Sequence, residues 1–178
     1  WYLDQYLKLS LSPREASALQ STFARVIDVA LEQPTIVVHR DYHSRNLLVL
    51  PNDQVGVLDF QDAVIGPISY DLVSLLKDCY VSWPSLNVAN WVQRYFEKAK
   101  EASIIQDITM GQFLSWFDWM GVQRHLKCIG IFSRLYLRDN KPQYLADIPR
   151  LIDYILSASS RQPKLNGLAK LLQGKVLK

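Results

Sequence analysis

The sequence predicts an α+β fold, mostly helical with one small β-hairpin. Long stretches on either side of the first third carry apolar residues every three to four positions, the period of helices with one buried face. Between them stand three short runs rich in β-branched or aliphatic residues, Thr35 to Val38, Leu47 to Leu50 and Val55 to Leu58. The last two are separated by Pro51, Asn52 and Asp53, a turn set that joins antiparallel strands.

The totals suit that class. With 178 residues, 49% hydrophobic and 21% charged, the chain can bury one sizeable core, and a single domain is expected. Twenty Lys plus Arg against 17 Asp plus Glu leave a formal charge of +3, too small to mark a nucleic-acid binder. There is no apolar run long enough to span a membrane and no basic-then-apolar leader pattern. Cys79 and Cys128 lie inside apolar helical patterns without a C-x-x-C pair, so both are expected buried and reduced, as in a cytoplasmic protein.

In chain order, Leu3, Tyr6 and Leu7 give Trp1 to Leu9 a helical spacing. Ser12 reads as an N-cap, with Pro13 at the first helical position and Glu15 closing a capping box, for a helix to about Glu32. Its buried stripe is expected at Ala16, Leu19, Phe23, Val26, Ile27 and Ala30. The first strand, a loop and the hairpin follow. Phe60 to Ser69, holding Gly66-Pro67, reads as a loop, with Ser69 capping a helix from Tyr70 to Tyr80. Further helices are expected from Asn87 to Glu101, from Thr109 to Leu137 with a kink near Gly130, and from Tyr144 to Leu156 with a bend at Pro149. The last stretch, 158–178, is basic, with Arg161, Lys164, Lys170, Lys175 and Lys178, and reads as a helix or tail of the same domain.

The chemistry concentrates between Val38 and Asp71. Asp41 and Asn46 fall in the loop before the first hairpin strand and Asp59 just after the second, so antiparallel pairing returns Asp59 toward Asn46. One carboxylate and one amide oxygen suit Mg²⁺, which prefers hard oxygen ligands and leaves places for water and phosphate. Asp41 is then left as a base for an attacking hydroxyl, the division of labour that phosphoryl transfer uses. His39, Asp41 and His43 alternate, which raises a zinc site, but no further His or Cys stands near to complete four ligands. His39 instead reads as a hydrogen-bonding brace of the backbone and His43 as a residue that orients the loop. Asp62 is set aside from the metal set.

The order His39-Arg40-Asp41, then Asn46, then Asp59-Phe60 resembles the catalytic loop and metal-binding Asp of protein kinases. The pattern His39-x-Asp41-x-His43-x-x-Asn46 resembles the aminoglycoside phosphotransferase and choline kinase-like superfamily more closely. Within it, the stretches around Val38 to Leu47 and Leu58 to Ala63, with Gln123 to Lys127 and Gly130 to Leu135, resemble bacterial kinases that phosphorylate the anomeric hydroxyl of N-acetylmuramate and N-acetylglucosamine. Members that modify aminoglycosides more often carry Gly where this chain has Arg40.

The resemblance, which covers about 1–157, implies a protein kinase-like C-terminal lobe with a catalytic loop at 38–46 and a metal loop at 58–71. It implies ATP and Mg²⁺ as cofactors, an amino sugar as acceptor and a role in peptidoglycan recycling. Asp71 becomes a brace of the catalytic loop, beside its simpler role of complementing a helix dipole. Trp116, Trp119 and Arg124 become candidates for holding the sugar, by aromatic stacking and by a paired grip on a carboxylate, against the plainer reading that they are core. No Gly precedes Gly56 and no phosphate-binding glycine motif occurs, so the N-terminal lobe of the same protein is expected as a missing partner. Another small-alcohol or aminoglycoside kinase, or a non-catalytic binding module on the same fold, are the alternatives.

Overall fold

A computed structural model describes residues 1–177; Lys178 of the basic stretch lies outside them. The described chain is mostly helical, with two separate two-stranded antiparallel sheets. It divides into two compact units, Trp1–Asp28 together with the chain from Gly121 onward, and Val29–Met120.

In the first unit a short π-helical turn, Tyr2–Tyr6, precedes helix α1, Pro13–Leu31. The capping box closes: the Ser12 N–H and Oγ–H both donate to Glu15 Oε2 at 2.7 Å, and the Glu15 N–H reaches back to Ser12 Oγ at 3.4 Å. The buried face of α1 differs from the expected one. Thr22, Val26 and Val29 are buried, whereas Phe23 and Ile27 are 46% and 58% exposed. A threonine can take a core position because its hydroxyl donates back to the Ala18 carbonyl at 2.9 Å, leaving only its methyl to be packed. Phe23 and Ile27, turned off that face, border with Trp1, Leu126 and Leu171 an open cavity of about 660 Å³.

The end of the chain is packed and helical. A 3-10 stretch, Pro142–Asp147, leads into helix α5, Ile148–Ser159, so Pro149 starts the helix where a bend was expected. At the first turn its missing N–H costs nothing. Pro163–Leu165, helix α6 (Asn166–Leu171) and the π-helical turn Leu172–Val176 follow, burying Leu165, Leu168, Leu171 and Leu172. Gly167 permits close approach to α1, because a Cβ there would stand 2.9 Å from the Ala18 Cβ. Lys175 Nζ donates to Glu15 Oε2 at 2.9 Å and to the Ser10 carbonyl at 3.0 Å, fastening this end to the start of α1.

The second unit holds both sheets. Strand β1 (Thr35–Val38) pairs antiparallel with β4 (Val64–Pro67), from Thr35 opposite Pro67 to Val38 opposite Val64. Strands β2 (Leu47–Val49) and β3 (Val55–Val57) form the expected hairpin, closed by Leu50 N–H on the Gln54 carbonyl at 2.8 Å. Asn52 and Asp53 take left-handed backbone in its turn, which Asn and Asp tolerate best after Gly. Strand β4 replaces the expected loop. Its partner lies far back in the chain, and Gly66 is required there because an added Cβ would meet Val38 Cγ2 at 2.7 Å.

Helix α2 is Tyr70–Leu76, shorter than expected. Lys77 leaves helical geometry and extends its ammonium to Asp118 at 3.2 Å, a buried ion pair, and over the Phe117 ring at 4.4 Å. Ser69 does not cap α2 through its side chain; its Oγ–H donates to Gln33 Oε1 at 2.6 Å. Helix α3 is Ser85–Glu101 and helix α4 is Met110–Asp139, which passes Gly130 without a break. Thr109 Oγ1 caps α4 by accepting the Gln112 N–H at 3.2 Å. The core of this unit is aromatic, with Phe113 against Tyr95, Phe96 and Trp116.

Glu15 yields a pH test. Its carboxyl is pulled down from 4.5 to about 2, first by the bond from Lys175 and then by those from Ser12. A lowered carboxyl stabilises the fold above its unfolded value, and the benefit fades as pH falls from 4.5 toward 2. Glu15→Gln is expected to lower the melting temperature at pH 7, with the deficit shrinking below pH 4.5 and with added salt; paired calorimetric melts across that range check it.

Candidate functional site

Every residue from His39 to Ala63 lies between two paired strands, β1 and β4, so the site is an excursion with fixed ends. Asp71, in the first turn of α2, holds its beginning. Asp71 Oδ2 accepts the His39 N–H at 2.6 Å and Oδ1 accepts the Arg40 N–H at 3.0 Å. Arg40 is left-handed, with φ 75°, a backbone that costs a non-glycine residue ~1–2 kcal/mol. The paired bonds to Asp71 hold the chain in that turn.

Leu58 ties the loop to the hairpin. Its N–H donates to the Asn46 carbonyl at 2.9 Å, continuing the ladder one step past Leu47 opposite Val57. Its carbonyl accepts the His39 Nε2–H at 2.8 Å. Asp59 is therefore delivered from a residue bonded on one side to Asn46 and on the other to His39. Asp59 itself is left-handed, with φ 64°, which turns the chain out of β3 into the 3-10 turn Phe60–Asp62.

Asp41 is half-buried, Asn46 half-buried and Asp59 exposed. Asn46 Nδ2–H donates to the Asp41 carbonyl at 3.0 Å, which commits the nitrogen and leaves Oδ1 as its free donor atom for a ligand. Asp59 Oδ1 accepts from Gln61 Nε2 at 2.8 Å, with Oδ2 remaining. By chemical type, one amide oxygen and one carboxylate oxygen suit a small divalent cation that keeps most of its shell for water and phosphate. No set of three or more His, Cys, Asp or Glu able to hold a metal occurs among the described residues, so His39, Asp41 and His43 form no such cluster.

The other end of the loop is held by residues that the sequence reading missed. Asp78, fully buried, accepts the Ser44 N–H on Oδ2 and the Tyr80 N–H on Oδ1, both at 2.8 Å. The Tyr80 ring meets the His43 ring edge-on at 5.3 Å and carries the Arg45 guanidinium 3.6 Å from its centroid. The available signal was spacing: Asp78 follows Asp71 by seven residues, two helical turns, and sits among Leu75, Leu76 and Cys79, where an acid needs a buried partner.

The sugar-holding candidates require a correction. Trp116, Trp119 and Arg124 are each only 2% exposed. Trp116 packs against Phe113, and a side chain enclosed by its own core offers no face to a sugar. Helical spacing placed them on the long helix correctly, but all three are enclosed there.

A family model described as the phosphotransferase enzyme family matches residues 1–107, a stretch that includes the whole loop, the hairpin and α2. The chain belongs to this family. Among relatives of this phosphotransferase chain are proteins named N-acetylmuramate/N-acetylglucosamine kinase. It is 45% identical to that of Neisseria meningitidis serogroup B over 172 residues, covering 97% of this chain and 51% of that protein. It is 45% identical to that of Pseudomonas putida over 173 residues, covering 97% and 50%. The namesake from Pseudomonas aeruginosa gives 45% over 172 residues, covering 97% and 51%. The chain spans about half the length of the curated relatives it matches. No helix among the described residues is long and apolar enough to cross a membrane.

The left-handed turn at Arg40 gives a test. Arg40→Gly removes strain and is expected to leave folding stability unchanged or higher, whereas Arg40→Val, β-branched, is expected to lower it by ~1–2 kcal/mol or more. Denaturant unfolding of both variants against the parent chain measures the difference.

Proposed function

We propose that the whole protein is an ATP-dependent kinase that phosphorylates the anomeric hydroxyl of an amino sugar, N-acetylmuramate or N-acetylglucosamine, in the cytoplasm. The observation that carries this reading is the loop geometry: a carboxylate, Asp41, whose own carbonyl is bonded by Asn46, with Asp59 joined to Asn46 through Leu58. The relatives named for those two sugars support the acceptor class.

Asp41 acts as the base. The sugar hydroxyl loses its proton to the Asp41 carboxylate as its oxygen bonds to the γ-phosphorus of ATP, and the bond to the β-γ bridging oxygen breaks, so that ADP leaves. Asn46 and Asp59 would hold Mg²⁺, which would neutralise phosphate charge when bound. Asp71, His39 and His43 position the loop that presents these groups. The product, a sugar 1-phosphate, would return a cell-wall sugar to precursor synthesis.

We infer that the rest of the protein would complete the nucleotide site. An N-terminal lobe of the same protein is proposed to cover the phosphates and to rest on the apolar side chains left open around the site, among them Val37, Val49, Phe60 and Ile65, 68–85% exposed.

Two measurements on the whole protein test this. Asp41→Asn is expected to lower kcat toward an amino sugar by about 10²-fold or more with the KM for ATP nearly unchanged, and near-parental turnover would remove Asp41 as the base. Asp59→Ala is expected to raise the Mg²⁺ concentration needed for half-maximal activity, and Asn46→Ala to do so less, because only Asp59 brings charge to the ion. An unmoved Mg²⁺ titration in both variants places the ligands elsewhere.

A further inference from the structure

We propose that Asp78, acting with Tyr80, is a positioning residue that sets the second half of the catalytic loop independently of Asp71. The proposal rests on the kinase reading above for its kinetic consequence, and on the geometry alone for its structural one.

The loop from His39 to Asn46 has two anchors of different origin. Its first half hangs from Asp71 at the start of α2. Its second half registers onto 78–80, just beyond the end of that helix. Three consecutive loop residues are held there in three ways: the His43 ring against the edge or face of Tyr80, the Ser44 N–H on Asp78, and the Arg45 guanidinium over the Tyr80 ring. The carboxylate is 0% exposed, and its two oxygens receive two backbone donors, so Ser44 and Tyr80 are bridged through a single rigid group.

This bridge reaches the chemistry through short covalent and hydrogen-bonded steps. The His43 N–H donates to the Asp41 carbonyl at 3.0 Å, and the Asn46 N–H donates to the His43 carbonyl at 2.9 Å. A shift of residues 43–45 therefore moves the backbone of Asp41 and Asn46 together. It leaves the bond from the His39 ring to the Leu58 carbonyl, next to Asp59, outside the moved segment. Loss of the bridge is thus a displacement of the base with the metal carboxylate left in place, and misplacing a reacting group by about 1 Å can cost on the order of 10²-fold in rate.

The test uses the whole protein with Asp78→Asn, which keeps size and shape but offers one acceptor oxygen for two N–H donors, and with Tyr80→Leu, which removes the ring. Hydrogen exchange followed on peptides covering 42–46 and on the hairpin gives a readout that needs no activity. The expected result for Asp78→Asn is exchange about tenfold faster or more at 42–46 with the hairpin unchanged, kcat lowered about tenfold or more, and the KM for ATP within about twofold. Tyr80→Leu is expected to move both readouts the same way by less. Unchanged exchange at 42–46 in both variants overturns the proposal, as does protection lost equally across hairpin and loop, or faster exchange with kcat intact. Parental protein inert toward every amino sugar would fail the kinase reading, and the bridge would still be judged by exchange.

Discussion

The structure around the site depends on one carboxylate gripping two consecutive peptide N–H groups. Asp71 receives His39 and Arg40 together, and Arg40 is where the chain leaves β1 in a left-handed turn. Without that grip the turn is strained and two amides lie without acceptors; with it, the direction of the loop is set at its first residue. The remaining features follow from this direction. The His39 ring reaches the Leu58 carbonyl, the hairpin is held at its open end, and Asp59 arrives beside Asn46. The Arg40 turn also gives a physical reason for glycine at this position in similar loops, since glycine enters the left-handed region without penalty.

What was legible in the sequence was local. The capping box at Ser12 and Glu15, the β1 limits at Thr35 and Val38, and the hairpin around Pro51 to Asp53 are each determined by neighbours within a few residues, and each stands where expected. What was not legible depended on partners far along the chain. Strand β4 was hidden by Gly66-Pro67, which reads as a break until β1 supplies the pairing and Val38 supplies the reason for the glycine. Helix α2 ends early at Lys77, whose ammonium pairs with Asp118, forty-one residues away. Thr22 replaces Phe23 on the buried face of α1 because a back-bonded hydroxyl hides its polarity from the core.

The site divides in the same way. The spacing of Asp41, Asn46 and Asp59 carried its own message, because a short antiparallel hairpin returns the residue after its second strand toward the residue before its first. Asp78 carried none that spacing could interpret, since its importance lies in an amide thirty-four residues earlier. The aromatic residues of α4 show the converse: Trp116 and Trp119 look like sugar platforms in a list of residue types, and only their enclosure shows that they are structural.

Four aspartates surround this loop, and their environments divide them into two kinds. Asp71 and Asp78 each use both carboxylate oxygens to accept backbone N–H groups, a task for which an ionised acid is better suited than an amide, because both of its oxygens accept and neither repels a donor. Such groups gain their effect by being fixed, and they sit at or just after the rigid helix α2. Asp41 and Asp59 lie on the loop and at the hairpin mouth, half-buried and exposed, where a substrate proton or a cation can reach a carboxylate. A group that must change partners during a reaction has to be accessible, and a group that must keep its partners gains by having both oxygens bonded. Residue type is the same in all four cases and Asp71 is half-buried like Asp41, so it is the count of backbone N–H donors that sets Asp71 and Asp78 apart from Asp41 and Asp59.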